Sequence, residues 1–333
     1  MITFSPSIHN RCAVHQDRCR MNRLVEIFVA LLGLVCLGLC VPQWGMDEYL
    51  AMPDDNIDSR EHGYKQGTRT TTCACGWTNK ARIVGGKKTL PNEYPLMAGM
   101  FVKKENDILC GGAIVTERHV VTAAHCTYAF KEDDLAVIVG EHGRHGKLRN
   151  MTGNMQFMPV QKIYVHEDWN PMSYVNDISI MFLKTNIRYN QFVGPACLPN
   201  KKMDLVNEYL KVLGWGYLAS KTVRAEELMK VNLRVLPILT CANNYPRDIP
   251  VENSHQICTF NNNKDSCEGD SGGPLLWLDP ETNRYMLAGL VSYGKRKCAT
   301  HSPAVNTDVT YFADWVRRIV KESDPSVRTC SKQ

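Results

Sequence analysis

The chain lacks the signatures of several protein classes. It has no lysine- or arginine-rich block, and its net charge is a modest +5. Nothing in it would grip a run of phosphates, so no nucleic-acid partner is expected. No His-Glu-x-x-His occurs, which removes a zinc peptidase of that type. Internal repeats are absent, as is any long helical periodicity before Val309. The uninterrupted apolar run over 27–41 is shorter than the about 20 residues that usually span a bilayer.

What is present suits a globular, disulfide-bonded protein. Hydrophobic residues make up 44% of 333 residues, enough for one large domain or two with appendages. Fourteen cysteines are many for a cytosolic enzyme and point to an oxidising compartment. Short apolar runs predict strands at 108–115, 135–140, 161–165, 178–183, 211–213 and 285–293, separated by Gly/Pro turns, a pattern typical of barrels. Val309, Phe312, Val316 and Ile319 then recur at helical spacing and predict an amphipathic terminal helix.

One loop concentrates chemistry: Asp265-Ser266-Cys267-Glu268-Gly269-Asp270-Ser271-Gly272-Gly273-Pro274. Its glycines permit backbone shapes other residues resist, and Pro274 lacks the N–H a helix needs. Such a loop lifts the Ser271 hydroxyl out and gathers N–H groups around it, as acyl transfer requires. A polar turn of no function would read the same in isolation. A serine nucleophile needs a base and a group that orients the base. Val120-Val121-Thr122-Ala123-Ala124-His125-Cys126 offers a histidine at the end of an apolar strand, and Asn176-Asp177-Ile178 an aspartate at the mouth of another. The α/β-hydrolase elbow shares Gly-x-Ser-x-Gly but continues into helix and places its histidine last; here Gly-Gly-Pro follows, and His301 is the only later histidine.

The order His125, Asp177, Ser271 and the three local contexts resemble the chymotrypsin/trypsin family of serine endopeptidases over about residues 83–321. The Cys-x-Cys-Gly at Cys73 to Gly76 resembles linkers of arthropod secreted, venom-type members. The resemblance implies an all-β fold of two six-stranded antiparallel barrels with the triad in the cleft between them. It implies oxyanion N–H groups from Gly269 and Ser271, an acidic pocket floor at Asp265 that pairs with substrate Arg or Lys, and a substrate-binding edge at Ser292 and Gly294. Ala304 stands where trypsin-like members usually have glycine, so its methyl is expected to narrow the pocket. Arg82-Ile83 resembles the zymogen cleavage site, with the freed Ile83 ammonium pairing with Asp270. Implied bridges are Cys110–Cys126, Cys241–Cys258, Cys267–Cys298 and Cys75–Cys197; Cys73 and Cys330 are left to pair with each other or with another chain. Glu141 matches one family calcium ligand, but Arg144, Lys147 and Arg149 in the following loop oppose a cation. No metal and no cofactor are expected.

Arginines before the apolar stretch 24–41 and small residues at its end read as a signal peptide over 1–40, with Met21 an alternative start; a retained type II anchor is the competing reading. His9, Cys12, His15 and Cys19 superficially suggest zinc ligands but would be removed with it. A flexible prosegment follows over 41–82, then the protease domain over 83–322 and a tail over 323–333. Asn150 begins an Asn-x-Thr glycosylation acceptor. The expected protein is a secreted, extracellular zymogen that acts on proteins or peptides, is activated by a trypsin-like protease, meets protein inhibitors and makes no stable membrane contact. A protease-shaped binding protein is the non-enzyme rival; such proteins usually lack a triad member, and this chain keeps all three.

Overall fold

The computed structural model describes residues 63, 65–79, 89–144, 153–217, 223–245, 249–262, 269–295 and 302–333, all within one compact unit, Leu50–Gln333. Twelve strands close into two barrels. The first comprises β1 (Met97–Val102), β2 (Asp107–Thr116), β3 (His119–Thr122), β4 (Leu135–Val139), β5 (Gln156–Val165) and β6 (Ser179–Leu183), in the spatial order β1-β2-β3-β6-β5-β4. The second comprises β7 (Tyr209–Gly214), β8 (Met229–Leu236), β9 (Gln256–Phe260), β10 (Pro274–Asp279), β11 (Arg284–Tyr293) and β12 (Ala304–Asp308), in the order β10-β11-β12-β9-β8-β7. All pairings are antiparallel, so closure leaves neither sheet an open edge.

Each barrel is filled by its own inward side chains. Met100, Ile114, Val120, Val137, Met181 and Leu183 pack the first, and Leu210, Val212, Leu233, Val235, Leu275 and Ala288 the second. A third cluster lies between them, where Ile138, Ile180, Leu213, Trp215 and Leu287 meet Phe312 and Val316. Those last two residues sit on the terminal helix Val309–Ser323, whose first turn is capped by the Asp308 carboxylate accepting from the Thr310 and Tyr311 N–H groups. Burial of this shared layer keeps the barrels from sliding past one another, and the cleft between them keeps its shape.

Residues 65–79 are not the flexible stretch expected. Cys75 is bridged to Cys197, and Cys73 to Cys330. The segment also pairs with the barrel backbone: Gly76 N–H donates to Pro195 O at 2.8 Å, and Tyr285 N–H donates to Gly76 O at 2.8 Å. Gly76 adopts φ +61°, and a β-carbon there would stand 2.4 Å from Tyr285 O, so only glycine lets the segment lie this close. Lys332 Nζ reaches Asp279 and Glu281, securing the tail against the same face. No helix among the described residues is long and apolar enough to cross a membrane; the apolar stretch 24–41 lies outside them.

Candidate active site

β3 runs antiparallel to β6 with Thr122 opposite Ser179. The end of one strand is therefore beside the start of the other, and His125, just beyond β3, meets Asp177, just before β6. A short helix, Ala124–Thr127, turns the histidine toward the cleft. Asp177 Oδ2 lies 2.7 Å from His125 Nδ1, and Asp177 Oδ1 accepts the His125 backbone N–H at 2.8 Å. A carboxylate buried this completely (0% of the side chain exposed) needs several donors. Ser292 Oγ supplies another, 2.5 Å from Oδ2, and Thr307 Oγ1 donates to the Asp177 carbonyl at 2.7 Å. Because the carboxylate accepts, Nδ1 carries the proton and Nε2 is left as the basic atom.

The preceding residue shares in this support. Asn176 sits in the left-handed region at φ +59°, which asparagine tolerates. Its Oδ1 accepts from His255 Nδ1 at 2.8 Å and its Nδ2 donates to Asp168 O at 2.9 Å. Desolvation, with nearby Lys202 and His166, lowers the His255 pKa.

Ser271 comes from the other barrel, three residues before β10 begins. Its carbonyl accepts the Gly111 N–H of β2 at 2.8 Å, joining the barrels at this point. Gly272 adopts φ +70°, where a β-carbon would collide with Thr122 Oγ1 at 2.2 Å. The Gly272-Gly273 pair is thus what allows the loop to press against β2 and β3 and bring Ser271 toward His125. Among the described residues no hydrogen bond links Ser271 Oγ to His125 Nε2; such bonds commonly tighten only once substrate fills the site. Asp270 Oδ1 accepts the Gly216 N–H at 2.7 Å.

Ser292 acts on Asp177 through its side chain, a contact not foreseen for a residue assigned to the substrate-binding edge. Gly294 directly follows β11, and the Ala304 β-carbon is 3.9 Å from where a β-carbon of Gly294 would stand. The structure joins Cys110 to Cys126 and Cys241 to Cys258. Asp265, Cys267, Cys298, Arg82, Ile83 and Asn150 lie outside the described residues. Cys110, His125 and Cys126 crowd together like metal ligands, but both sulfurs are consumed in a disulfide. Glu141 Oε1 accepts the N–H groups of His142 and Gly143.

Several contributors were missed from sequence. Thr307 gave no local signal. Tyr174, at φ +59°, places its ring 5.5 Å from His125 and 5.4 Å from Tyr293, and Tyr245 continues the row 5.5 Å beyond. This aromatic wall flanks the cleft on the Ser292 side. Arg224 approaches Gly269, its Nη2 2.8 Å from where a β-carbon of Gly269 would stand.

The sequence pattern of the family described as Trypsin matches residues 83–316. A venom serine protease of Polistes dominula is 36% identical over 254 residues, covering 75% of this chain and 89% of the relative. Venom serine protease 34 of Apis mellifera is 35% identical over 257 residues, covering 74% and 60%. The proclotting enzyme of Tachypleus tridentatus is 32% identical over 256 residues, covering 73% and 68%. Two closed barrels with a terminal helix, a buried Asp177 holding His125 at the cleft and this span of similarity give one conclusion: the chain belongs to the trypsin family of serine proteases.

Proposed function

We propose that the protein is a secreted serine endopeptidase, made as a zymogen and activated by a cut after Arg82, that cleaves proteins or peptides after Arg or Lys. The observation that carries the catalytic assignment is the fully buried Asp177 with both carboxylate oxygens on His125, which leaves Nε2 basic at the cleft. Ser271 Oγ attacks the scissile carbonyl carbon while His125 Nε2 takes its proton. The Gly269 and Ser271 N–H groups receive the oxyanion. The proton passes to the departing amine and leaves an acyl-enzyme, and a water deprotonated by His125 then releases the acid. Asp265 supplies the charge that selects the basic side chain. The Ile83 ammonium pairs with Asp270 and fixes the oxyanion loop.

Ser271→Ala tests the chemistry. Peptide cleavage by the activated protein should fall by roughly a millionfold, with the thermal midpoint and the binding of a protein inhibitor retained. Hydrolysis at the parent rate would remove Ser271 as nucleophile. Secretion is tested by N-terminal sequencing of protein recovered from medium: a start near Val41 supports it, and a product still carrying residues 24–41 would favour the anchor.

A further inference from the structure

Beside Gly269 lie charges that the proposed chemistry leaves unused. Arg224, between β7 and β8, reaches across to the first barrel. Its Nη2 donates to Ile108 O at 3.0 Å, and its Nη1 lies 3.4 Å from Asp107 Oδ2. The same oxygen holds Arg144 Nη1 at 2.6 Å. Two guanidinium groups therefore share one carboxylate, and only 12% and 14% of the Arg224 and Arg144 side chains is exposed.

Arg224 also borders the reacting centre. Gly269, the proposed oxyanion donor, has φ +92°, and a β-carbon there would stand 2.8 Å from Arg224 Nη2 and 3.0 Å from Nε. Among the described residues Arg224 Nε is buried without an acceptor. The side of the scissile bond that it faces follows from its neighbours. Ser292, on the expected substrate-binding edge, lies against Asp177 and not against Arg224. Ile108 lies on β2, whose Cys110 is bridged to Cys126 beside His125. His125 hands its proton to the departing amine, so the segment after the cut leaves along this flank.

The charge balance decides what that segment should carry. The charges acting on Arg224 are those of Arg144, Asp107 and Asp270, together with Tyr217. Among the described groups that act on Arg224, once the Ile83 ammonium pairs with Asp270, as proposed above, two cations face one anion. One positive charge is then in excess in a partly desolvated setting, where its field is weakly screened.

We infer that Arg224, backed by Arg144, makes the protease select substrates with an acidic side chain at the first or second residue after the cleaved bond. This rests on the protease reading above and extends it to the leaving segment.

The test uses protein activated at Arg82 and peptides with Arg before the bond and Asp, Gln or Lys at either of the two following positions. The kcat/KM ratio of Asp to Lys peptides should be about tenfold or more at low salt at one of these positions, and should narrow at high salt. Arg224→Gln should bring it within about twofold, and Arg224→Lys should retain part of it because the charge remains while the fork is lost. Reading the ratio cancels any loss common to both substrates, and the parent ratio needs no variant to fold. Equal cleavage of Asp and Lys peptides by the parent overturns the inference, as does a ratio that survives Arg224→Gln. In either case cleavage of the Gln peptide leaves the protease reading standing, whereas failure to cleave all three would overturn both.

Discussion

Ser292 Oγ stands 2.5 Å from the same Asp177 oxygen that orients His125, inside a site where water cannot replace it. A hydrogen bond to a buried charge contributes about 1.5–3 kcal/mol. Ser292→Ala should therefore lower kcat by about tenfold or more, while KM for a peptide changes less, because the backbone that would hold the substrate is retained. Steady-state kinetics on one Arg peptide checks this, and an unchanged kcat would show that Asp177 is held well enough without it. The contact spans 115 residues of sequence, and that of Thr307 with the Asp177 carbonyl spans 130. This separation is why neither was legible. His125, Asp177 and Ser271 were legible because each sits in a short stretch whose backbone demands particular neighbours, such as the glycines after Ser271. Arg224 was hidden for the opposite reason: nothing around it in sequence is unusual, and its meaning comes only from facing Asp107 and Gly269.

Among elements, the terminal helix is held to the first barrel by His119 of β3. Its Nε2 lies 2.7 Å from Ser323 Oγ and its Nδ1 2.6 Å from Thr116 Oγ1, with the ring stacked on Phe182. Burial lowers the His119 pKa from 6.5 to about 4, with Arg118 pushing the same way and Asp324 opposing. The unfolded chain takes up this proton near the ordinary value, whereas the folded one resists until about 4. Stability is thus fully present above pH 6.5 and drains away as pH falls toward 4, by about 3 kcal/mol in all. Urea midpoints at pH 7 and pH 4.5 should separate less in His119→Asn than in the parent. An equal separation would place the acid sensitivity elsewhere. The helix itself was readable from Val309, Phe312, Val316 and Ile319, and half the strands from apolar runs. β1 and β12 were not. Met97–Val102 is buried at every position, and Ala304–Asp308 is polar yet equally buried, with Asn306 Nδ2 donating to Thr259 Oγ1. A barrel wall covered on both faces loses the alternation that marks a half-exposed strand. β8 does alternate, Val231, Leu233 and Val235 against Lys230, Asn232 and Arg234, a signal as readable as any of those recognised.

For the whole molecule, the segment before the proposed cut is fastened twice, through Cys75–Cys197 and Cys73–Cys330. After cleavage at Arg82 the protein should run as one species on a gel without reductant and as two with it. Cys75→Ser alone should not release the segment, because Cys73 still holds it. Release from the Cys75→Ser variant without reductant would show that the second bridge does not form. Each bridge closes a long loop and is expected to contribute about 2–5 kcal/mol by restricting the unfolded chain.

The second bridge also sets a timetable for biosynthesis. Cys73 and Cys330 are 257 residues apart, and translation at about 5–20 residues per second separates their appearance by roughly 13–51 s. Throughout that interval Cys73 is a thiol without its partner, two positions from Cys75, whose own partner Cys197 is made much sooner. Any bridge Cys73 forms in the meantime must be undone by exchange before the mature pairing can close. If such a bridge forms, a pulse-chase without reductant should show the mature form arising from a slower-migrating precursor already complete in length, and added disulfide isomerase should speed the conversion.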